Sequence, residues 1–130
     1  MAVVVLDASA AIALFDESDP HHARAVAAIA RTREHRRVLP ATAYAECLVG
    51  PYRRGGQAAE TIERAVSEGA LELAVVDRET ARRAAQLRAR HASLPLPDAL
   101  VLATGEVLDA EIVLTTDRAW PRISRRARLV

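Results

Sequence analysis

Two kinds of apolar pattern alternate along this chain: short unbroken runs, and stretches where apolar residues recur every three or four positions. The run Ala2–Leu6, rich in β-branched valine and ended by Asp7, reads as a strand buried on both faces. Ser9 is placed to cap a short helix, Ala10–Phe15, which stops in the polar segment Asp16–Pro20. From His21 to Arg33, Ala23, Val26, Ala27, Ile29 and Ala30 fall at helical spacing. Val38–Leu39 is a short strand closed by Pro40, and Thr42 is a cap for a helix to about Val49, where Gly50-Pro51 breaks or kinks it. Gln57–Glu68 is a further helix with Gly69 just past its end.

In the second half, Leu71–Val76 reads as a strand. Asp77 caps a helix over Arg78–His91, whose apolar stripe is Ala81, Ala84 and Ala85. Proline sterics make Leu94–Pro97 extended, and Asp98 opens a helix to about Leu108. Ile112–Thr115 and Ala127–Val130 are the last strands. Strands alternating with helices predict a three-layer α/β/α sandwich around a mainly parallel sheet, with residues 1–130 as a single domain. In such sheets ligands bind beyond the carboxyl ends of the strands, where strand order reverses. The residue just after each strand is therefore where chemistry is expected.

Composition narrows the options. Phe15, Tyr44, Tyr52 and Trp120 are the only aromatics, so the core must be aliphatic and its helices must pack closely on the sheet. Cys47 is the single cysteine, which excludes an internal disulfide, and no Cys/His cluster suggests zinc. There is no apolar run of about 18 residues for a membrane span and no basic leader before Ala2–Leu6; a cytoplasmic location is expected. Every basic residue is arginine, so mechanisms that require lysine are excluded.

Four acids stand out. Asp7 follows the first strand and Asp117 follows the strand ending at Thr115; parallel strands would bring both to the same edge, although each is read equally well as a helix cap. Glu46 lies about one turn into its helix, inside the apolar stretch Ala43–Val49, and a carboxylate on a buried segment needs a partner or an ion. Asp98 heads the apolar helix that continues Ala99-Leu100-Val101-Leu102-Ala103; its alternative role is a favourable interaction with the helix dipole. If the four converge, each pair about 5 Å apart repels by roughly 3 kcal/mol at an effective dielectric near 20. Such a cluster calls for a divalent cation or protons, and oxygen-only ligation favours Mg²⁺ or Mn²⁺ over zinc. These ions bridge phosphate oxygens and activate water, so hydrolysis needs no histidine, cysteine or lysine.

In context these acids resemble a known family. Leu6-Asp7-Ala8-Ser9-Ala10 is similar to the D-x-S opening of PIN domains, and Ala45-Glu46 to their internal glutamate. Pro97-Asp98-Ala99 and then Leu114-Thr115-Thr116-Asp117-Arg118, with an aromatic at Trp120, complete the pattern over essentially the full length. Each motif is weak alone; the four in order are fairly specific. The size resembles the VapC toxins of bacterial VapBC toxin–antitoxin systems. The resemblance implies a Mg²⁺- or Mn²⁺-dependent endoribonuclease hydrolysing RNA phosphodiesters with a metal-activated water. Its acidic site would be Asp7, Glu46, Asp98 and Asp117, with Ser9 and Thr115 assisting by hydrogen bonding near the metal or phosphate. Asp7 and Asp98 would be the firmest ligands, while Glu46 and Asp117 bind the metal directly or position its waters. It also implies a VapB-like antitoxin and a homodimer.

The remaining residues are read more plainly. His21, His22, His35 and His91 share no ligand spacing and are expected at the surface. Cys47 is a small core residue, and Trp120 belongs to the core sooner than to a base-stacking surface. Of Arg53, Arg54, Arg118, Arg122, Arg125 and Arg126, only Arg118, beside Asp117, stands out as a substrate contact. Ile12, Leu14 and Phe15 with the following alanine-rich helix permit an apolar groove, where the resemblance implies that an antitoxin segment binds. The alternative function is a non-catalytic PIN-like module binding RNA or protein; the presence of all four acids counts against it. Phosphotransfer domains of the haloacid dehalogenase or response-regulator kind need a lysine, and neither GxxxxGK nor GxGxxG occurs.

Overall fold

A computed structural model describes residues 1–130. Strand β1 (Val3–Leu6) leads through helices α1 (Ala8–Phe15) and α2 (His22–Ala30) to β2 (Arg36–Pro40). Helices α3 (Ala41–Arg53) and α4 (Gln57–Ser67) precede β3 (Glu72–Ala74). After α5 (Arg78–Arg90) and α6 (Leu96–Val107), β4 (Ile112–Thr115), a 3-10 turn (Trp120–Arg122) and β5 (Ala127–Leu129) complete the chain. The strands form one sheet in the order β3-β2-β1-β4-β5, parallel throughout. Every residue of β1 is buried, as expected of a central parallel strand covered by helices on both faces. The three-layer α/β/α architecture is the one the alternation predicts.

This order fixes where a ligand site would open. From β1 the chain first builds outward through β2 and β3, then returns to lay β4 and β5 on the other side. The order therefore reverses between β1 and β4, opening a crevice beyond their carboxyl ends. Leu6 is in register with Leu114, and the Asp7 N–H continues the ladder to the Leu114 carbonyl at 3.0 Å. Asp7 and the segment after Thr115 leave the sheet on either side of that crevice.

The core is aliphatic and small-grained, with Ala10, Ala11, Ala13, Ala43, Ala99 and Ala103 fully or almost fully buried against the strands. Gly105 marks the closest approach: a Cβ there would stand 2.6 Å from Val113 Cγ2, so α6 rests almost directly on β4.

Several local expectations change. The first helix is capped by Asp7, not Ser9: Asp7 Oδ1 accepts from the Ala10 N–H at 2.8 Å. Thr42 caps nothing; Pro40 holds the N-cap position, and the Thr42 hydroxyl is buried without a partner. Helix α3 runs through Gly50-Pro51 with Pro51 buried inside it, and the break comes at Gly55 and Gly56, whose φ values of +100° and +90° suit glycine. Pro97 lies within α6, in the first turn where proline is tolerated. On α2 the buried residue is Ala25, while Ala23, Val26, Ala27 and Ala30 face outward. On α5 the inward positions are Thr80, Ala84 and Leu87, leaving Ala81 and Ala85 exposed.

Candidate active site

Asp7, Glu46, Asp98 and Asp117 all line one open cavity of about 300 Å³, together with Ala8, Ser9, Pro97, Val101, Thr116 and Trp120. Four separated stretches of sequence thus meet at the β1/β4 crevice.

Asp7 is the most constrained. Its residue is 6% exposed. Oδ1 accepts from the Ser9 hydroxyl at 2.7 Å and from the Ala10 N–H at 2.8 Å, and Oδ2 accepts from the Thr115 hydroxyl at 2.7 Å. A carboxylate has about four acceptor sites, so Asp7 is both the cap of α1 and a carboxylate with one site left, on Oδ2. Burial raises its pKa; the Ser9, Thr115 and Ala10 hydrogen bonds lower it and Asp117 adds to the rise. Ser9 and Thr115 also tie Asp7 to the β4 side: the Ser9 hydroxyl accepts from the Thr116 N–H and the Thr115 hydroxyl from the Asp117 N–H, each at 3.0 Å.

Asp98 and Glu46 arrive on helices. Asp98 stands in the first turn of α6, whose N-cap is Pro95 without a side-chain cap, so its carboxylate is not used in capping. Burial raises its pKa, with Asp117 and Asp7 adding to this and the Trp120 indole opposing it. Glu46 is not buried as its apolar neighbours suggested. Helix α3 turns Ala43, Cys47 and Pro51 inward and leaves Glu46 exposed at the cavity wall. Partial desolvation, then Asp98 and Asp7, raise its pKa. Asp117 is exposed at the rim, and its Oδ1 accepts from the Ala119 N–H at 2.9 Å. Arg118, on the same turn, is exposed and does not line the cavity.

The raised carboxyl groups mean that the cavity favours a proton or a cation. No three acidic, histidine or cysteine side chains close around a single ion by themselves. The donors are all oxygen and leave room for water, which suits Mg²⁺ or Mn²⁺, held through one or two carboxylates with waters and phosphate completing the sphere. They would not suit a zinc cage.

The other singled-out residues stand apart. His22 bonds to the Ala13 carbonyl at 2.7 Å and His35 to Glu111 at 2.8 Å, and no histidine lines the cavity. Cys47 is buried, its thiol pushed up to about 12 by burial and then by Asp7 and Glu46. A second groove, of about 610 Å³, opens beside the first and shares Glu46 with it. Ile12 and Phe15 line this groove with Ile62, Pro51, Arg54 and Asp16, whereas Leu14 packs on the core. The cavity-lining position of Trp120 is the feature that sequence reasoning missed; the signal was its spacing of three from Asp117, the span of one β-turn, which the Trp120 N–H closes onto the Asp117 carbonyl at 3.3 Å.

A family model of the PIN domain matches residues 4–126. No curated protein matches the sequence. Among solved structures, VapC20 of Mycobacterium tuberculosis, described as a Sarcin-Ricin loop cleaving toxin, superposes with a TM-score of 0.79 at 18% identity, covering 92% of this chain and 93% of that one. The DNA-bound VapBC of Salmonella typhimurium gives 0.78 at 18% identity over 100% and 98%. FitAcB of Neisseria gonorrhoeae gives 0.73 at 18% identity over 98% and 96%. At these identities the likeness establishes a shared backbone fold.

Proposed function

The chain belongs to the PIN-domain family, and from that premise we propose that it is a Mg²⁺- or Mn²⁺-dependent endoribonuclease, one nuclease domain over residues 1–130, acting as the toxin of a type II toxin–antitoxin pair. The observation that carries this reading is the meeting of Asp7, Glu46, Asp98 and Asp117 around one cavity at the β1/β4 crevice.

Asp7, fixed by Ser9, Ala10 and Thr115, presents the open site on Oδ2. Asp98 supplies a carboxylate free of capping duty, and these two are the firmest candidates to hold the ion. When bound, Mg²⁺ or Mn²⁺ supplies positive charge to a phosphate oxygen and lowers the pKa of water. Neither histidine, cysteine nor lysine lines the cavity, so proton transfer falls to carboxylates. Glu46, exposed at the wall with its pKa raised, is suited to take a proton from the attacking water. Asp117 holds the rim, and Arg118 beside it meets the RNA backbone from outside.

The adjoining groove, apolar along Ile12, Phe15 and Ile62 with Arg54 at its side, suits an amphipathic segment of a VapB-like antitoxin. Because the groove shares Glu46 with the cavity, such a segment would reach the active site. The outward apolar face of α2 (Ala23, Val26, Ala27, Ala30) suits a homodimer contact. No helix is long and apolar enough to cross a membrane, and a cytoplasmic location goes with the RNA substrate.

Purified protein incubated with a panel of structured RNAs tests the proposal. Cleavage should stop in EDTA, return with Mg²⁺ or Mn²⁺, and be absent from Asp98→Asn protein. Undiminished cleavage in chelator overturns the mechanism, and binding of RNA without metal-dependent cleavage makes the chain a non-catalytic module.

A further inference from the structure

Trp120 is the only tryptophan in the chain and is 2% exposed, yet it lines the cavity with Asp98 and Asp117. Asp117 delivers it there. The Ala119 N–H closes onto Asp117 Oδ1 at 2.9 Å and the Trp120 N–H onto the Asp117 carbonyl at 3.3 Å, starting the 3-10 turn with the indole pointing inward. Packing alone would be served by any large ring, and the indole also buries an N–H. That Nε1–H has no well-formed acceptor, although an indole nitrogen can only donate and buried donors are almost always satisfied.

Asp98, on the same cavity wall, is the complementary case: half-buried, in the first turn of α6, with no capping bond to occupy its oxygens. Indole and carboxyl line the same cavity; the unpartnered N–H is a donor without an acceptor and the Asp98 carboxylate an acceptor without a donor, although in this structure their separation or angle falls short of a closed hydrogen bond.

We propose that Trp120 is a positioning residue: its indole N–H donates to one oxygen of the Asp98 carboxylate, fixing the rotamer that turns the other oxygen into the cavity. An Asp on the first turn of a helix otherwise has free rotation about two side-chain bonds, and a metal or phosphate must pay for freezing them. A neighbouring donor that orients a ligating carboxylate is commonly worth about 10–100-fold in metal affinity. Phenylalanine keeps an apolar ring at the same position without the donor, although it is smaller than the indole. Asp117 thereby acts twice, as an acid at the rim and as the turn that brings Trp120 to Asp98. The part of the inference that concerns metal rests on the reading of Asp98 as a ligand; the hydrogen bond itself does not.

A lone tryptophan gives a single indole N–H resonance in a ¹H–¹⁵N correlation spectrum, assigned without further work. In metal-free protein, Asp98→Asn should move it upfield and speed its exchange with solvent, whereas Asp109→Asn, at an exposed residue on another loop, should leave it in place. An unmoved resonance in Asp98→Asn overturns the hydrogen bond. Calorimetric titration with MgCl₂ should then show binding to Trp120→Phe weakened by about 10-fold or more relative to the native chain; equal affinity overturns the positioning role. If the native chain itself binds no Mg²⁺, the metal reading of the site fails, while the metal-free spectra still decide the contact between Trp120 and Asp98. Those spectra need no Trp120 variant, so they remain decisive if Trp120→Phe fails to fold.

Discussion

The Thr115 hydroxyl donates to Asp7 Oδ2 at 2.7 Å across 108 positions of sequence. It links the last residue of β4 to the residue just after β1, and it accepts the Asp117 N–H at 3.0 Å in turn. One fully buried hydroxyl therefore orients Asp7 and starts the turn carrying Asp117. Thr115→Val keeps the shape and removes both bonds. The folded state should lose about 1.5–3 kcal/mol, the range for hydrogen bonds to charged groups, and Mg²⁺ affinity should fall by about 10–100-fold. Urea unfolding and calorimetry read the two effects, and Thr115→Ser should restore most of both. A valine variant with native Mg²⁺ affinity would show that Thr115 serves packing alone.

Asp7→Asn separates function from folding. The amide oxygen can still accept from Ser9 and Ala10, so the cap of α1 survives. The charge that burial disfavours is gone. The amide nitrogen that takes the Oδ2 position cannot accept from Thr115, so the loss of that bond offsets the relief of the buried charge. The variant should unfold within a few degrees of the native chain in EDTA, while RNA cleavage falls by roughly 100-fold or more, the scale of losing one transition-state electrostatic contact. Because only the native chain should gain stability from Mg²⁺, by RT ln(1 + [Mg²⁺]/Kd), melting curves with and without the ion provide a second reading. Asp7→Asn protein that cleaves RNA at the native rate would remove Asp7 from the site.

The same carboxylates set a pH dependence whose sign is opposite to that of ordinary acid denaturation. Asp7, Glu46 and Asp98 have raised pKa values in the folded chain, in each case chiefly through burial. Between the ordinary carboxyl range and those raised values, the folded protein holds protons that the unfolded chain has released. Stability contributed by these groups is therefore present at low pH and lost as pH rises through the window. Glu72, held down by Arg36, and Asp77, held down by the Thr80 backbone and side chain, work the other way, losing their contribution as pH falls below the ordinary range. In EDTA the melting temperature should rise as the pH is lowered from neutrality towards the ordinary carboxyl range, then fall in stronger acid. Saturating Mg²⁺ should flatten the first limb, because the cation replaces the protons. Equal slopes with and without Mg²⁺ would dissociate the acids from metal binding.

Much of this arrangement was legible in the sequence, for identifiable reasons. Ala2–Leu6 and Ile112–Thr115 were readable as central strands because a parallel strand covered on both faces has no polar alternation to confuse it. Given parallel strands, Asp7 and Asp117 had to leave at the same edge. What was not legible was rotation about helix axes. In α2 and α5 alanine is common on every face, so the periodicity could not choose between Ala23, Val26 and Ala27 and the buried Ala25, nor between Ala81 and the buried Thr80. Glu46 was misjudged for the same reason: an apolar stretch around it does not say which side of α3 is inward. Pro51 was taken for a break, whereas α3 carries it in its last turn and stops only where Gly55 and Gly56 need positive φ. Asp7 looked like either a cap or a ligand, and its two oxygens allow it to be both.

Gly105 tests whether the placement of Asp98 depends on helix–sheet spacing. It lies in α6, near the end opposite Asp98, buried where the helix backbone meets β4, and an added Cβ would fall 2.6 Å from Val113 Cγ2. Neither a helix backbone nor a central strand can yield cheaply, so Gly105→Ala should cost about 1–3 kcal/mol, as overpacking in a core does, despite the higher helix propensity of alanine. Lifting that end of α6 would tilt the helix and shift its first turn relative to Asp7 at the end of β1. Mg²⁺ affinity should therefore fall together with stability, although the substitution touches no cavity residue. Val113→Ala removes the methyl group in the way, so the double variant should recover part of both losses and show a coupling that distant sites lack. If Gly105→Ala lowers stability but leaves Mg²⁺ binding unchanged, the carboxylate end of α6 is held by its own contacts with Trp120 and α5, and helix–sheet spacing does not set the site.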